Sequence, residues 1–281
     1  MYRFSSTALL MLVSTTAHAE TASPSPPKWI ATAGGSATII DGQEAQPAAT
    51  LSLTRVSKKA AIGISGTLIG SDSGNSPAGL YPERIATVAL TGSRKFGRLT
   101  LDANISAGWA HFQPGTLPVS PAMSIPFTSQ ADGFGAGGGI SMDVHLGRNV
   151  TLTPRVGAAY SQSRLTRYVA DTGAGPSRLT NQTGGVTFSA SASLQTPFGR
   201  KHQHMVSALI AVNDSANFIH RPGRANVVRS TTDMADTFAD YGIVANFSLR
   251  GRLGLDVSAT RSAWVDGPDS TVVSFNLRLV Y

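Results

Sequence analysis

Thr271-Val272-Val273-Ser274-Phe275-Asn276-Leu277-Arg278-Leu279-Val280-Tyr281 closes the chain, and its reading decides the fold. Counting back in twos from the terminal aromatic gives Tyr281, Leu279, Leu277, Phe275 and Val273. Between them lie Val280, Arg278, Asn276, Ser274 and Val272. Side chains alternate across a strand, so one face is a continuous apolar stripe and the other is largely hydrophilic. A half-buried strand of a soluble sandwich would show the same alternation. A strand of about ten residues with one greasy face also spans a bilayer, provided it belongs to a closed barrel.

The same pattern recurs upstream. In Val186 to Phe198 one face carries Val186, Phe188, Ala190, Ala192, Leu194, Thr196 and Phe198, and the other Thr187, Ser189, Ser191, Ser193, Gln195 and Pro197. In Leu99 to Trp109, Leu99, Leu101, Ala103, Ile105, Ala107 and Trp109 back onto Thr100, Asp102, Asn104, Ser106 and Gly108. A soluble barrel would bury its apolar stripe in a dry core. Here the second face is so consistently Ser, Thr, Asn, Gln, Asp and Gly that it suits a wet lumen, which turns the apolar face toward lipid.

Reading outward from these segments gives strands at about 29–40, 49–56, 60–69, 84–92, 98–112, 133–147, 149–169, 184–198, 204–218, 236–249, 253–265 and 271–281. The strands at 84–92 and 204–218 alternate poorly. The expected fold is therefore all-β: a transmembrane antiparallel up-and-down β-barrel of about 12 strands, an even number as in bacterial single-chain barrels. Short turns fall at Ser57 to Lys59, Ser93 to Gly97, Gly147 to Asn149, Gly199 to Gln203 and Gly251-Arg252. Long loops are expected at about 41–48, 70–83, 113–132, 170–183 and 219–235, with a short one at Asp266 to Ser270. If the last strand ends in the periplasm, every short turn lies on that side, the arrangement such barrels adopt. The segment 149–169 exceeds the length needed to cross, so its hairpins are expected to project outward.

The other end of the chain agrees with export. Residues 1–19 read as a signal peptide, with Arg3 as the positive start, an apolar core from Thr7 to Val13 and an A-x-A cleavage site at Ala17 and Ala19. A proline-rich leader follows at 20–28, then the barrel domain at 29–281. The chain has no cysteine, which excludes disulfides, thiolate metal sites and cysteine nucleophiles. Only 14% of residues are charged, well below the roughly one quarter usual in soluble domains. The formal charge of +7 lies mainly in short turns rather than on one face with interleaved aromatics, so nucleic acid is not an expected partner.

Motifs that could carry chemistry have structural readings beside them. Gly133-x-Gly135-x-x-Gly138 matches a dinucleotide fingerprint, but the run continues as a strand rather than a helix. Small residues crowding a barrel wall explain it better. Asp143 and His145 share the inward face of one strand, and its hairpin partner would bring Thr153 and Arg155 near. With Asp102, Asp256 and Arg278 they are expected as lumen-facing charges that fill or line a pore and could set its selectivity. His202 and His204 are expected in a solvated turn. Trp109, His111, Phe112, Phe218, His220 and Trp264 are expected near the outer rim, where aromatics form an interfacial girdle. A rim histidine could serve a membrane-embedded hydrolase, but no local signature of one is present. No enzymatic activity, cofactor or metal is expected.

Two features carry a family resemblance. The terminal apolar-x-apolar-x-aromatic run resembles the C-terminal signature of bacterial outer-membrane β-barrels. Leu152-Thr153-Pro154-Arg155-Val156-Gly157-Ala158-Ala159-Tyr160 resembles the "L-x-P-x-x-G-x-x-Y" strand that recurs in the β-domain of autotransporters. The resemblance implies an outer-membrane location and an approach to the barrel assembly machinery through the C-terminal strand. It also implies surroundings of outer-membrane lipid and lipopolysaccharide. It departs in one respect: only Glu20 to Lys28 precedes the first strand, so no secreted passenger is evident. The matching residues are scaffold, and no catalytic role carries over. The expected function is structural, adhesive or passive transport, with a porin-like diffusion channel and a rim hydrolase as alternatives.

Overall fold

Apolar-polar alternation at period two, interrupted by tight turns, favours hairpins, and a sheet built of hairpins escapes exposed edges only by closing on itself. A computed structural model shows that closure. It describes residues 28–41, 45–70, 82–120, 123–147, 149–170, 177–199, 203–220, 234–249, 252–265 and 268–281. The signal and all of the leader but Lys28, including Ala17 and Ala19, lie outside the described residues.

The strands are β1 (Lys28–Ile40), β2 (Gln46–Val56), β3 (Ala60–Gly70), β4 (Pro82–Phe96), β5 (Leu99–Phe112), β6 (Gly115–Ser120), β7 (Met123–Met142), β8 (Val144–His145), β9 (Thr151–Val169), β10 (Ser177–Phe198), β11 (His204–His220), β12 (Met234–Ser248), β13 (Leu253–Trp264) and β14 (Ser270–Val280). β6 continues the line of β5 past Gln113-Pro114 and pairs with the start of β7. β8 continues β7 past Asp143 and pairs with β9. The other twelve close an antiparallel barrel, in which β7 sits between β5 and β9 and β1 pairs with β14 from Ile30↔Val280 to Ile40↔Ser270. Twelve strands spaced about 4.8 Å apart and tilted about 40° enclose a backbone cylinder roughly 24 Å across.

The register carries one parity around the whole wall. Asp102 pairs with Gly139, Gly139 with Gly157, Ser191 with Arg155, Asn246 with Asp256, and Asp256 with Asn276. Those residues face the interior. Their neighbours face out: Phe275, Leu277, Ile243, Phe188, Val156, Ile105 and Leu51 are all more than half exposed. A soluble protein does not spread so many large apolar side chains over its whole girth. From Trp29 to Ile39 on β1, or Leu99 to Trp109 on β5, the stripe covers eleven residues, ten strand steps. That is roughly 33 Å along the strand and about 25 Å along the barrel axis, the height of the apolar band in transmembrane barrels.

Several boundaries differ from the expectation. β4 runs to Phe96 rather than ending near residue 92, because the turn is the two-residue Gly97-Arg98, with Gly97 at φ 62. That is the left-handed region that primed hairpin turns require. The expected loop 113–132 is largely strand, as β6 and the first half of β7, and residues 177–183 of the expected loop 170–183 belong to β10. These segments alternate weakly because they extend the hairpins beyond the apolar band, where neither face must be greasy. β2 begins at Gln46, inside the loop expected at 41–48. Most of the loops expected at 70–83 and 219–235 lies outside the described residues.

Candidate functional site: the polar lumen

The interior face is made of strand residues that the register forces inward, so the sheet itself positions the lumen. It is dominated by short hydroxyls and amides that bond across neighbouring strands: Ser258 with Ser274 at 2.6 Å, Thr187 with Ser215 at 3.0 Å, Thr50 with Thr67 at 3.0 Å. Such a wall offers water continuous hydrogen-bonding partners.

Three ion pairs are set into it. Arg155 of β9 grips Asp102 of β5 with two hydrogen bonds, Nη2 to Oδ1 at 2.6 Å and Nε to Oδ2 at 3.0 Å. To do so it crosses β7, where Gly139 leaves room: a Cβ there would stand 2.6 Å from Arg155 Nη2 and 2.7 Å from Cζ. Lys95 of β4 donates to Asp143 at 2.6 Å, and Thr153 donates to the same carboxylate at 3.1 Å. Arg278 lies 3.5 Å from Asp256, which also accepts from Asn246 at 2.9 Å. Here too a glycine lies beneath: a Cβ at Gly254 would be 3.0 Å from Arg278 Nη2. Each pair joins neighbouring or next-neighbouring strands. Arg155 and Arg278 therefore lie along the wall over glycines, and none of the three cationic side chains reaches across the bore.

Of the six residues expected in the lumen, the structure brings five into these pairs. The pairing differs in detail: Arg155 goes to Asp102, and Asp143 takes Lys95 instead. His145 is on the inward parity but exposed at the short-turn rim, because the strand breaks at Asp143. Lys95 was hidden from the sequence by its placement in a turn. A cavity of about 120 Å³ at this mouth is lined by Lys59, Lys95, Asp102, Asp143, Thr153 and Arg155 among others.

Asp240 is the inward carboxylate that sequence reading missed. It accepts from Asn213 at 2.8 Å and from Ser262 at 2.7 Å, and no lysine or arginine pairs with it among the described residues. Nothing local marks it, since its partners come from β11 and β13.

The rim also departs from expectation. Trp109 is outward and exposed, but Phe112 is buried and Trp264 turns inward to stack on Phe238, ring centroids 4.2 Å apart. His204 is not simply solvated: it packs against Phe198 and Phe247 at 5.2 and 5.7 Å. His111 is exposed, and the side chains of Phe218 and His220 lie outside the described residues, so no two rim histidines are brought together among those described. At the loop end Arg261 binds Asp269 at 2.8 Å and Asp41 at 3.2 Å. That guanidinium, together with the Trp264 backbone N–H, holds the Asp269 carboxyl below its ordinary range.

No family model matches the sequence, and no curated protein does. Solved structures do match in shape. The chain superposes on the translocator domain of the autotransporter NalP from Neisseria meningitidis with a TM-score of 0.59 at 10% identity, over 92% of this chain and 90% of that one. It superposes on the β-domain of the Bordetella autotransporter BrkA with a TM-score of 0.52 at 10% identity, over 89% and 98%. The fold is that of autotransporter-type outer-membrane β-barrel domains.

Proposed function

We propose that this chain is an integral outer-membrane β-barrel whose hydrated bore lets small polar solutes pass passively. The observation that carries this reading is the geometry of the inward charges. Arg155, Arg278 and Lys95 could have bridged a barrel of this size and plugged it; instead each lies along the wall to an acid on a neighbouring or next-neighbouring strand. With side chains of roughly 6 Å on each side, a cylinder of about 24 Å leaves an opening of about 10–12 Å at the level of the ion pairs, wide enough for hydrated ions and small solutes, and the buried inward rings of Phe112, Phe127 and Phe238 narrow it toward the loop end. The likeness to a translocator domain supports a barrel built around a through-going lumen.

In this reading the short turns face the periplasm and the long hairpins of β7, β9 and β10 face outward. Export through the signal at residues 1–19 and assembly through the C-terminal strand belong to the same proposal. An adhesive or purely structural barrel would share the fold and the greasy exterior but not the need for an open bore.

The test is single-channel recording in planar bilayers, with folding checked by heat-modifiable gel mobility. Steady discrete openings are expected. A folded protein that leaves the bilayer silent removes the transport role and moves attention to the outer hairpins.

A further inference from the structure

The lipid-facing surface is uneven. Over β1 it carries a shallow, open depression of about 630 Å³. Its floor is Ala31 and Ala33, and its walls are Leu51 and Leu53 on β2 and Leu277 and Leu279 on β14. The depression exists because two methyl-sized residues stand between two leucine ridges on the neighbouring strands. An acyl chain laid there would contact apolar atoms on three sides rather than one, and dispersion contacts add with their number.

The short-turn end of this depression is not neutral. Two residues below Ala31 on the same face is Trp29, and its cross-strand partner is Arg55, whose Cζ stands 5.8 Å from the indole centroid. Arg94 lies on the same outer face of β4, with its Cζ 5.1 Å from the Phe96 ring. Lys58 and Lys59 in the β2–β3 turn are exposed beside them. The described acidic side chains at this end are Asp102, Asp143 and Asp256, all turned into the lumen and paired there. Among the described side chains the outer surface below the band is therefore cationic, and an interfacial tryptophan marks the headgroup level.

We infer that this depression is a specific site for an anionic glycerophospholipid, with an acyl chain over Ala31 and Ala33 and the phosphate held by Arg55 and Arg94. A zwitterionic lipid would fill the same depression, but its own cation would oppose those arginines. The site rests on the proposed membrane orientation of the barrel.

The chain has three tryptophans, so a variant carrying Trp109→Phe and Trp264→Phe reports from Trp29 alone. It is reconstituted into phosphatidylcholine vesicles holding a small fraction of either dibrominated phosphatidylglycerol or dibrominated phosphatidylcholine. At equal fraction the anionic lipid is expected to be enriched about tenfold beside Trp29, read as stronger quenching, because two arginines attract each phosphate. Arg55→Gln with Arg94→Gln should bring the two lipids level. Ala33→Phe, which fills the floor, should weaken quenching by both without changing the heat-modifiable mobility. Equal quenching by both lipids in an inserted, heat-modifiable barrel overturns the lipid site and leaves the barrel reading intact. A dimer on native gels with Trp29 shielded from both lipids assigns the depression to self-association and overturns it as well. Failure to insert at all sinks both.

Discussion

Gly139→Ala is the substitution that most sharply separates a wall-lying Arg155 from a passive one. In a strand, glycine costs unfolded-chain entropy, so replacing it with alanine where space allows stabilises by about 0.5–1 kcal/mol. Gly139 has no such space. The added Cβ would stand 2.6 Å from Arg155 Nη2 and 2.7 Å from its Cζ, and 2.8 Å from the Val156 carbonyl oxygen. The guanidinium must move by about 1 Å, which breaks a bidentate grip on a carboxylate that is only 14% exposed. Charge-assisted bonds of this kind contribute about 1.5–3 kcal/mol. Set against the entropic gain, the net destabilisation should be about 1–2 kcal/mol. Gly66→Ala is the control, because its nearest neighbour, the Thr87 carbonyl, is 3.8 Å away; it should be neutral or slightly stabilising. The assay is urea unfolding from lipid vesicles, in wild-type and Arg155→Gln backgrounds. In the second background the alanine should cost measurably less, because only the Val156 contact remains. An equal cost in both backgrounds would show that Arg155 does not lie over Gly139, and the wall geometry would be wrong.

Asp240 is held by Asn213 and Ser262, and no lysine or arginine pairs with it among the described residues, so Asp240→Asn should reduce the cation-to-anion permeability ratio of the bore several-fold, read from reversal potentials. Phe275 is 61% exposed in the middle of the apolar stripe, so Phe275→Arg should cost about 2–4 kcal/mol in bilayer refolding, whereas the inward Ser274→Arg should cost little. Asp269 is depressed below its ordinary value of 3.8 by Arg261, so its contribution is present above the unfolded value and is lost as pH falls through the lower folded one. The stability gap between wild type and Asp269→Asn should therefore persist at neutral pH and close only below pH 3.8; a gap that closes near pH 6 would contradict the assignment.

How much of this was legible in the sequence depends on what each feature needs. The apolar stripe of β14 is a one-strand property: Val273, Phe275, Leu277 and Leu279 face outward because period two leaves them no other choice once Asn276 and Arg278 face in. The twelve strands and the alternation of short and long connections are local for the same reason. The extensions of β7 and β10 were missed because Met123 to Ala131 and Ser177 to Thr183 stand beyond the band, where no lipid enforces alternation. The inward charges could be named but not paired. Arg155 reaches Asp102 across an intervening strand, and only the register β5–β7–β9 brings residues 53 apart together. Trp264 looked like a girdle residue by its height, yet its parity turns it inward onto Phe238.

Odd and even residues of one strand live in different solvents. The chain has no cysteine, so single cysteines can be placed without background. In vesicle-inserted protein, Ser274→Cys and Asn276→Cys should react readily with a small membrane-impermeant thiol reagent, and Phe275→Cys and Leu277→Cys should react only with a lipid-soluble one. Alternating accessibility along residues 273–277 is the result a hydrated lumen requires. Uniform protection of both sets would mean a dry or blocked interior, and uniform reactivity would mean that the strand does not cross a membrane at all.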